Sequence, residues 1–111
     1  MNSFYITTPI YYINSSPHVG HAYTTIACDI LARYNKLLGR DVFFLSGTDE
    51  HGQKVEQAAI NKSLNPQDFA DKMSIKFKDL TSFLNCEIND FIRTTESRHK
   101  KATQALWNKL L

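Results

Sequence analysis

Val42-Phe43-Phe44-Leu45 is a continuous apolar run, bounded by Asp41 before it and Ser46-Gly47 after it. A strand written that way is expected to be covered on both faces, as in a parallel sheet. Parallel neighbours need a crossover of a dozen or more residues, so the run also constrains what precedes it. Upstream, Phe4-Tyr5-Ile6-Thr7-Thr8 is a β-branched and aromatic run of strand length, stopped by Pro9. Between the two runs Ala22, Ile26, Ile30, Tyr34 and Leu37 recur at helical spacing, Asp29, Arg33, Lys36 and Arg40 fall elsewhere, and Gly39 is a natural stop. Strand, helix and strand in that order predict an α/β fold built on a right-handed βαβ unit with parallel strands and a crossover helix.

The rest of the chain continues the alternation. Gln53 to Lys62 reads as a short helix, and Asn65-Pro66 as the cap and first turn of another, with Phe69, Met73, Phe77, Leu80 and Leu84 as its buried stripe. Asp90-Phe91-Ile92-Arg93-Thr94 has the composition of a third strand. Thr95 is placed to cap a last helix carrying Ala102, Leu106 and Leu110 on one face. At 111 residues this is one domain or a piece of one. No apolar run approaches the ~20 residues that cross a bilayer and no basic-then-apolar leader is present, so no membrane contact is expected and the cytoplasm is the default compartment. Cys28 and Cys86 lie far apart with no C-x-x-C partner, which predicts reduced structural thiols and neither a zinc site nor a disulfide. Of thirteen Lys and Arg only Arg33, Lys36 and Arg40 precede residue 53. The mildly basic remainder permits contact with nucleic acid without requiring it.

Two stretches carry chemistry. Ser16-Pro17-His18-Val19-Gly20-His21 stands where the first helix starts. With Ser16 as cap and Pro17 in the first turn, both imidazoles would fall on one side of that turn, beside free backbone N–H groups and the positive end of the helix dipole. That arrangement is a phosphate cradle, and its plain alternative is a surface turn that holds two histidines. Gly47-Thr48-Asp49-Glu50-His51-Gly52 follows the second strand and packs three ionisable residues between glycines. In open parallel sheets, ligands bind at that end of the strands.

Pro9-Ile10-Tyr11-Tyr12, His18-Val19-Gly20-His21, Gly47-Thr48-Asp49-Glu50-His51-Gly52 and Phe91-Ile92-Arg93-Thr94-Thr95 together closely resemble the N-terminal half of the catalytic domain in the methionyl-tRNA synthetase family, among the class I aminoacyl-tRNA synthetases. H-V-G-H stands where the class usually has H-I-G-H. The resemblance spans residues 1–111 and implies the first half of a Rossmann-like nucleotide-binding fold. It also implies activation of methionine by ATP to methionyl-adenylate, then transfer of the acyl group to tRNA(Met). In that chemistry His18 and His21 would donate hydrogen bonds to the phosphates, and Gly20 would leave room for the adenine. Asp49 would pair with the ammonium of methionine, and Ile10 and Tyr12 would line the thioether pocket, loop packing being the plain alternative for these two. Thr7, Thr8 and Pro9 would border the nucleotide, while Glu50 and His51 lie near the site without an assigned role. Magnesium would come with ATP, held mainly by its phosphates, with no dedicated metal site.

Lys72-Met73-Ser74-Ile75-Lys76 imitates the K-M-S-K-S loop of the class, but Met73 falls in a helical apolar stripe, and core packing is the expected role. The resemblance places the connective insertion with its zinc-binding cysteines, the second half of the nucleotide fold, the true K-M-S-K-S loop and the anticodon-binding domain after these residues. We therefore expect a fragment of a methionine–tRNA ligase, unable to complete aminoacylation alone, for which a complementary chain is one way to restore the site. The alternative is a non-catalytic fragment with residual nucleotide or methionine binding, or an interaction piece. A three-stranded sheet would leave an open edge and uncovered helix faces, so the isolated domain is expected to be marginally stable.

Overall fold

A computed structural model describes residues 2–111. Its order is β1 (Ser3–Thr7), β2 (Tyr11–Tyr12), α1 (Val19–Leu37), β3 (Asp41–Asp49), α2 (Gln53–Asn61), α3 (Pro66–Phe83), β4 (Asp90–Arg93) and α4 (Ser97–Leu110). Every strand pairing is parallel and every pair includes β3. Leu45 is in register with both Thr7 and Asp90, and Thr48 with both Tyr11 and Arg93. β1 and β2 therefore share one side of β3, as a single edge strand interrupted at Thr8–Ile10, and β4 takes the other side. Pro9 explains the interruption, because it has no N–H to give the ladder. The expected α/β architecture of parallel strands joined by crossover helices is present.

The core lies on one face of this sheet. Val42 and Phe44 pack with Ala32 of α1, and Tyr11, Ile13, Val55, Ala59, Phe69, Ala70, Met73 and Phe77 form a second cluster. Of the stripe expected for α3, Phe69, Met73 and Phe77 are buried, while Leu80 and Leu84 are only half-buried and the buried face continues through Thr81; Asn65 is the cap, with Asp68 N–H donating to Asn65 Oδ1 at 2.8 Å. On the opposite face Tyr5 and Phe43 stack on each other at 6.1 Å and stay exposed. The run Val42–Leu45 is consequently covered on one face, not two as its composition predicts.

The first helix is also turned from its expected orientation. α1 buries Thr25, Asp29, Ala32 and Asn35, and leaves Ile26, Ile30, Tyr34 and Leu37 exposed. The buried face is polar but fully partnered. Asp29 accepts from Glu87 N–H at 2.9 Å and from Arg33 Nε at 2.6 Å, and Asn35 donates to Leu31 O and accepts from Arg40. Those bonds fix the rotation by about one residue against the hydrophobic pattern, since a buried polar group left unpaired costs about 1–3 kcal/mol. The helix ends as expected, with Gly39 at φ 74° behind it. α4 buries nothing, so Leu106, Trp107 and Leu110 form an uncovered face, and its cap is Glu96 where the sequence suggested Thr95. The hydroxyl of Thr95 is engaged elsewhere, donating to Glu50 at 3.2 Å.

Gly47 marks the closest approach of β3 and β4. A Cβ there would overlap the carbonyl oxygen of Ile92 and press on its side chain at 2.7 Å. Because the obstacle is backbone, Gly47→Ala is expected to separate the strands and to cost at least the ~1–3 kcal/mol of an overpacked core site. A urea midpoint within error of the parent would contradict that geometry.

Candidate active site

The two histidines build the start of α1. His18, not Ser16, is the N-cap: its extended backbone stands at φ −136°, ψ 179°, and its Nδ1 accepts from Gly20 N–H at 3.0 Å. His21 Nδ1 accepts in return from His18 N–H at 3.1 Å, which completes a reciprocal capping box. Ser16 lies before Pro17, a position biased away from helical backbone, and its hydroxyl instead accepts from Lys76 Nζ at 3.3 Å. The rings of His18 and His21 are 4.0 Å apart. Gly20 is needed for this closure, since a Cβ there would come within 2.9 Å of His18 Cε1.

Beneath the capping box, the His21 ring packs edge-on with those of Tyr11 and Phe77 at ring separations of 4.8 and 5.0 Å. Burial, and then the neighbouring His18, hold the His21 imidazole below its ordinary pKa. Tyr11 carries the support inward, with its hydroxyl 3.0 Å from Thr25 Oγ1, which itself donates to His21 O at 2.8 Å. Burial pushes the Tyr11 phenol up.

Asp49 ends the central strand in register with Tyr12 of β2. It is half-buried, and among the described residues its carboxylate has no hydrogen-bond or ion-pair partner. Tyr12 and Ile10 are 62% and 40% exposed, and of the two Tyr12 is the one in register with Asp49. The structure therefore brings Tyr12 next to Asp49. Of the residues expected to border a nucleotide, Thr7 and Pro9 are exposed, whereas Thr8 is buried with its hydroxyl 2.8 Å from Ser46 Oγ.

Glu50 has a structural role that the sequence did not show. Its side chain is fully buried and receives Arg93 Nε and Nη2 at 2.8 and 2.7 Å, together with the hydroxyls of Thr48 at 2.7 Å and Thr95 at 3.2 Å. Glu50 N–H donates to Thr94 Oγ1 at 2.9 Å, and Arg93 reaches on to Asp71 of α3 at 2.5 Å. The pairing with two carboxylates raises the Arg93 pKa further above its ordinary value and lowers that of Asp71. The turn that presents Asp49 is thus clamped on its far side to β4 and α3. His51 Nε2 lies 3.2 Å from Thr94 O and lines a cavity of about 270 Å³ with His99, Lys100 and Thr103.

Met73 of the Lys72–Lys76 stretch is 5% exposed in the core, between Phe69 and Phe77. Cys28 and Cys86 are both free thiols, and burial pushes both upward. Among the described residues no helix is long and apolar enough to cross a membrane.

A family model described as "tRNA synthetases class I (M)" matches residues 4–111. The methionine–tRNA ligase of Rickettsia typhi is 60% identical over 110 residues, 99% of this chain and 22% of that protein. That of Thermotoga maritima is 58% identical over 101 residues, 91% of this chain and 16% of that protein. A solved structure, Mycobacterium tuberculosis methionyl-tRNA synthetase in complex with methionyl-adenylate, superposes with a TM-score of 0.95 at 45% identity, over 97% of this chain and 21% of its own. The chain thus spans about a fifth of the length of the relatives it matches. With the paired histidines at the start of α1 and the G-T-D-E-H-G turn at the carboxyl end of β3, and with the match running over nearly every residue, this chain belongs to the methionine group of the class I tRNA synthetases.

Proposed function

We propose that residues 1–111 form the N-terminal half of a catalytic domain that activates methionine with ATP and passes the methionyl group to tRNA(Met). The observation that carries this reading is the unpaired carboxylate of Asp49, set one strand away from a helix start that presents two imidazoles. Methionine would lie with its ammonium on Asp49 and its thioether against Ile10 and Tyr12, and ATP with its phosphates over His18, Gly20 and His21. A methionine carboxylate oxygen attacks the α-phosphorus, the new P–O bond forms, and pyrophosphate leaves with the electrons of the broken bond. No side-chain nucleophile is required. The residues contribute position and hydrogen bonds to charge growing on the phosphate oxygens, a donor of this kind being worth ~10²-fold or more in rate. Mg²⁺ would accompany ATP, held mainly by its phosphate oxygens. The cytoplasm is the proposed compartment.

A non-hydrolysable methionyl-adenylate analogue titrated by calorimetry tests the site. We expect saturable binding that methionine and ATP each displace, and no binding of the analogue carrying lysine. Equal binding of both analogues, or of neither, would overturn the reading. Methionine-dependent ATP–pyrophosphate exchange then separates the two fates of the domain. Exchange by the chain alone means that it is catalytic as it stands, and exchange only with a complementary chain means that the second half must be supplied.

A further inference from the structure

The capping box constrains the protons on both imidazoles. A backbone N–H can only donate, so the Nδ1 of His18 facing Gly20 N–H and the Nδ1 of His21 facing His18 N–H must each hold a free lone pair. We infer that this box locks both rings in the Nε2–H tautomer, so that the cradle offers neutral N–H donors to phosphate and is dismantled when either ring is protonated. The inference deepens the phosphate role proposed above and rests on that reading for its ligand, but the proton positions follow from the box alone. An imidazolium puts N–H against N–H at the helix start, and the helix dipole and the second ring 4.0 Å away both oppose the added charge. No acidic residue stands in the first turn of α1 to offset it. From the packed elements, β2 sets the Tyr11 ring against His21, and α3 brings the Lys76 ammonium to Ser16, two residues before His18. None of these favours a cation.

The consequence runs against simple charge attraction. Acid should weaken anion binding at this site even as the chain becomes more positive. The sign for stability is the same. With the His21 pKa lowered in the folded chain, the unfolded chain takes up its proton first as pH falls through the ordinary imidazole range near ~6.5, so stability is lost on the acid side and is constant above it.

Nitrogen-15 NMR of the 111-residue chain reads the tautomers directly, with His18→Asn and His21→Gln used for assignment. At neutral pH we expect a pyridine-like Nδ1 and a protonated Nε2 in both rings. A proton on Nδ1 of either ring would overturn the inference. A second pair of variants separates cap from donor. His18→Asn restores an acceptor near the Nδ1 position and should melt with the parent, whereas His18→Gln lacks it and should melt about 4–8 °C lower. Equal melting of the two variants would count against the box. Sulfate, whose charge is constant across the range, is the anion probe. Its affinity should fall about tenfold from about pH 7.5 to about pH 5, and a rise would overturn the neutral-donor claim. Sulfate that fails to bind at any pH, with the NMR result intact, would remove the phosphate reading and leave the tautomers standing.

Discussion

Arg93→Met is expected to lower the unfolding free energy by about 3–5 kcal/mol, read as a fall in the urea midpoint at unchanged slope. The reason is Glu50. Its side chain is wholly inside, and Arg93 is the cation that offsets it through a two-pronged contact at 2.8 and 2.7 Å. Removal of the guanidinium leaves a carboxylate among the hydroxyls of Thr48 and Thr95, which donate to it but carry no charge. The loss would be a large fraction of the ~5–15 kcal/mol available to a domain of ordinary stability. A glutamine in place of Glu50 keeps an acceptor for those hydroxyls and removes the charge, so the double variant Glu50→Gln/Arg93→Met should be more stable than Arg93→Met alone. A double variant that is the sum of its singles would show that the two groups do not act as a pair. Arg98 provides the contrast. It pairs with Asp90 and Glu96 at 2.6 Å each, but it is exposed, and Arg98→Ala should leave the midpoint nearly where it is.

That network also shows how far the sequence could be read. Local signals located β1, β3 and β4, the span of α2, the start of α3 with Phe69, Met73 and Phe77 on its buried face, and the stop at Gly39, because each depends on residues a few positions apart; the two-residue strand Tyr11–Tyr12 carries no such signal. The rotation of α1 was not legible. Its apolar stripe points away from the sheet because Asp29 is tied to the N–H of Glu87, 58 residues on. Nor was the role of Glu50, whose partner Arg93 lies 43 residues away and has no pattern linking it to the strand end. The bare Tyr5–Phe43 face and the uncovered face of α4 share another physical cause. Hydrophobic periodicity reports which side chains seek cover, not whether the cover lies within these residues. At the site, spacing alone leaves the two histidines open between an anion site and a plain surface turn, and Ser16 is the expected cap because serine is the commoner acceptor. An imidazole with a free Nδ1 meets the same need, and only the side-chain geometry reveals the substitution.

Asp49→Asn should leave folding untouched and weaken recognition of the amino acid, the reverse of what disruption of its neighbour does. Among the described residues the Asp49 carboxylate contacts no donor, so its loss removes no bond from the folded chain, and the urea midpoint should match the parent. A charge-assisted bond to an ammonium is worth about 1.5–3 kcal/mol, so methionine affinity should fall about 10- to 150-fold. The ligand supplies the control. N-acetylmethionine keeps the thioether and carboxylate but has no ammonium, so the parent should bind it about as poorly as the Asp49→Asn variant binds methionine, and the substitution should not weaken it further. If Asp49→Asn weakens both ligands equally, the aspartate acts on the shape of the pocket and not on the ammonium. Tyr12, in register beside it, then divides the recognition. Tyr12→Ala should weaken methionine and N-acetylmethionine alike, because what it offers is apolar surface to the thioether and not charge to the nitrogen.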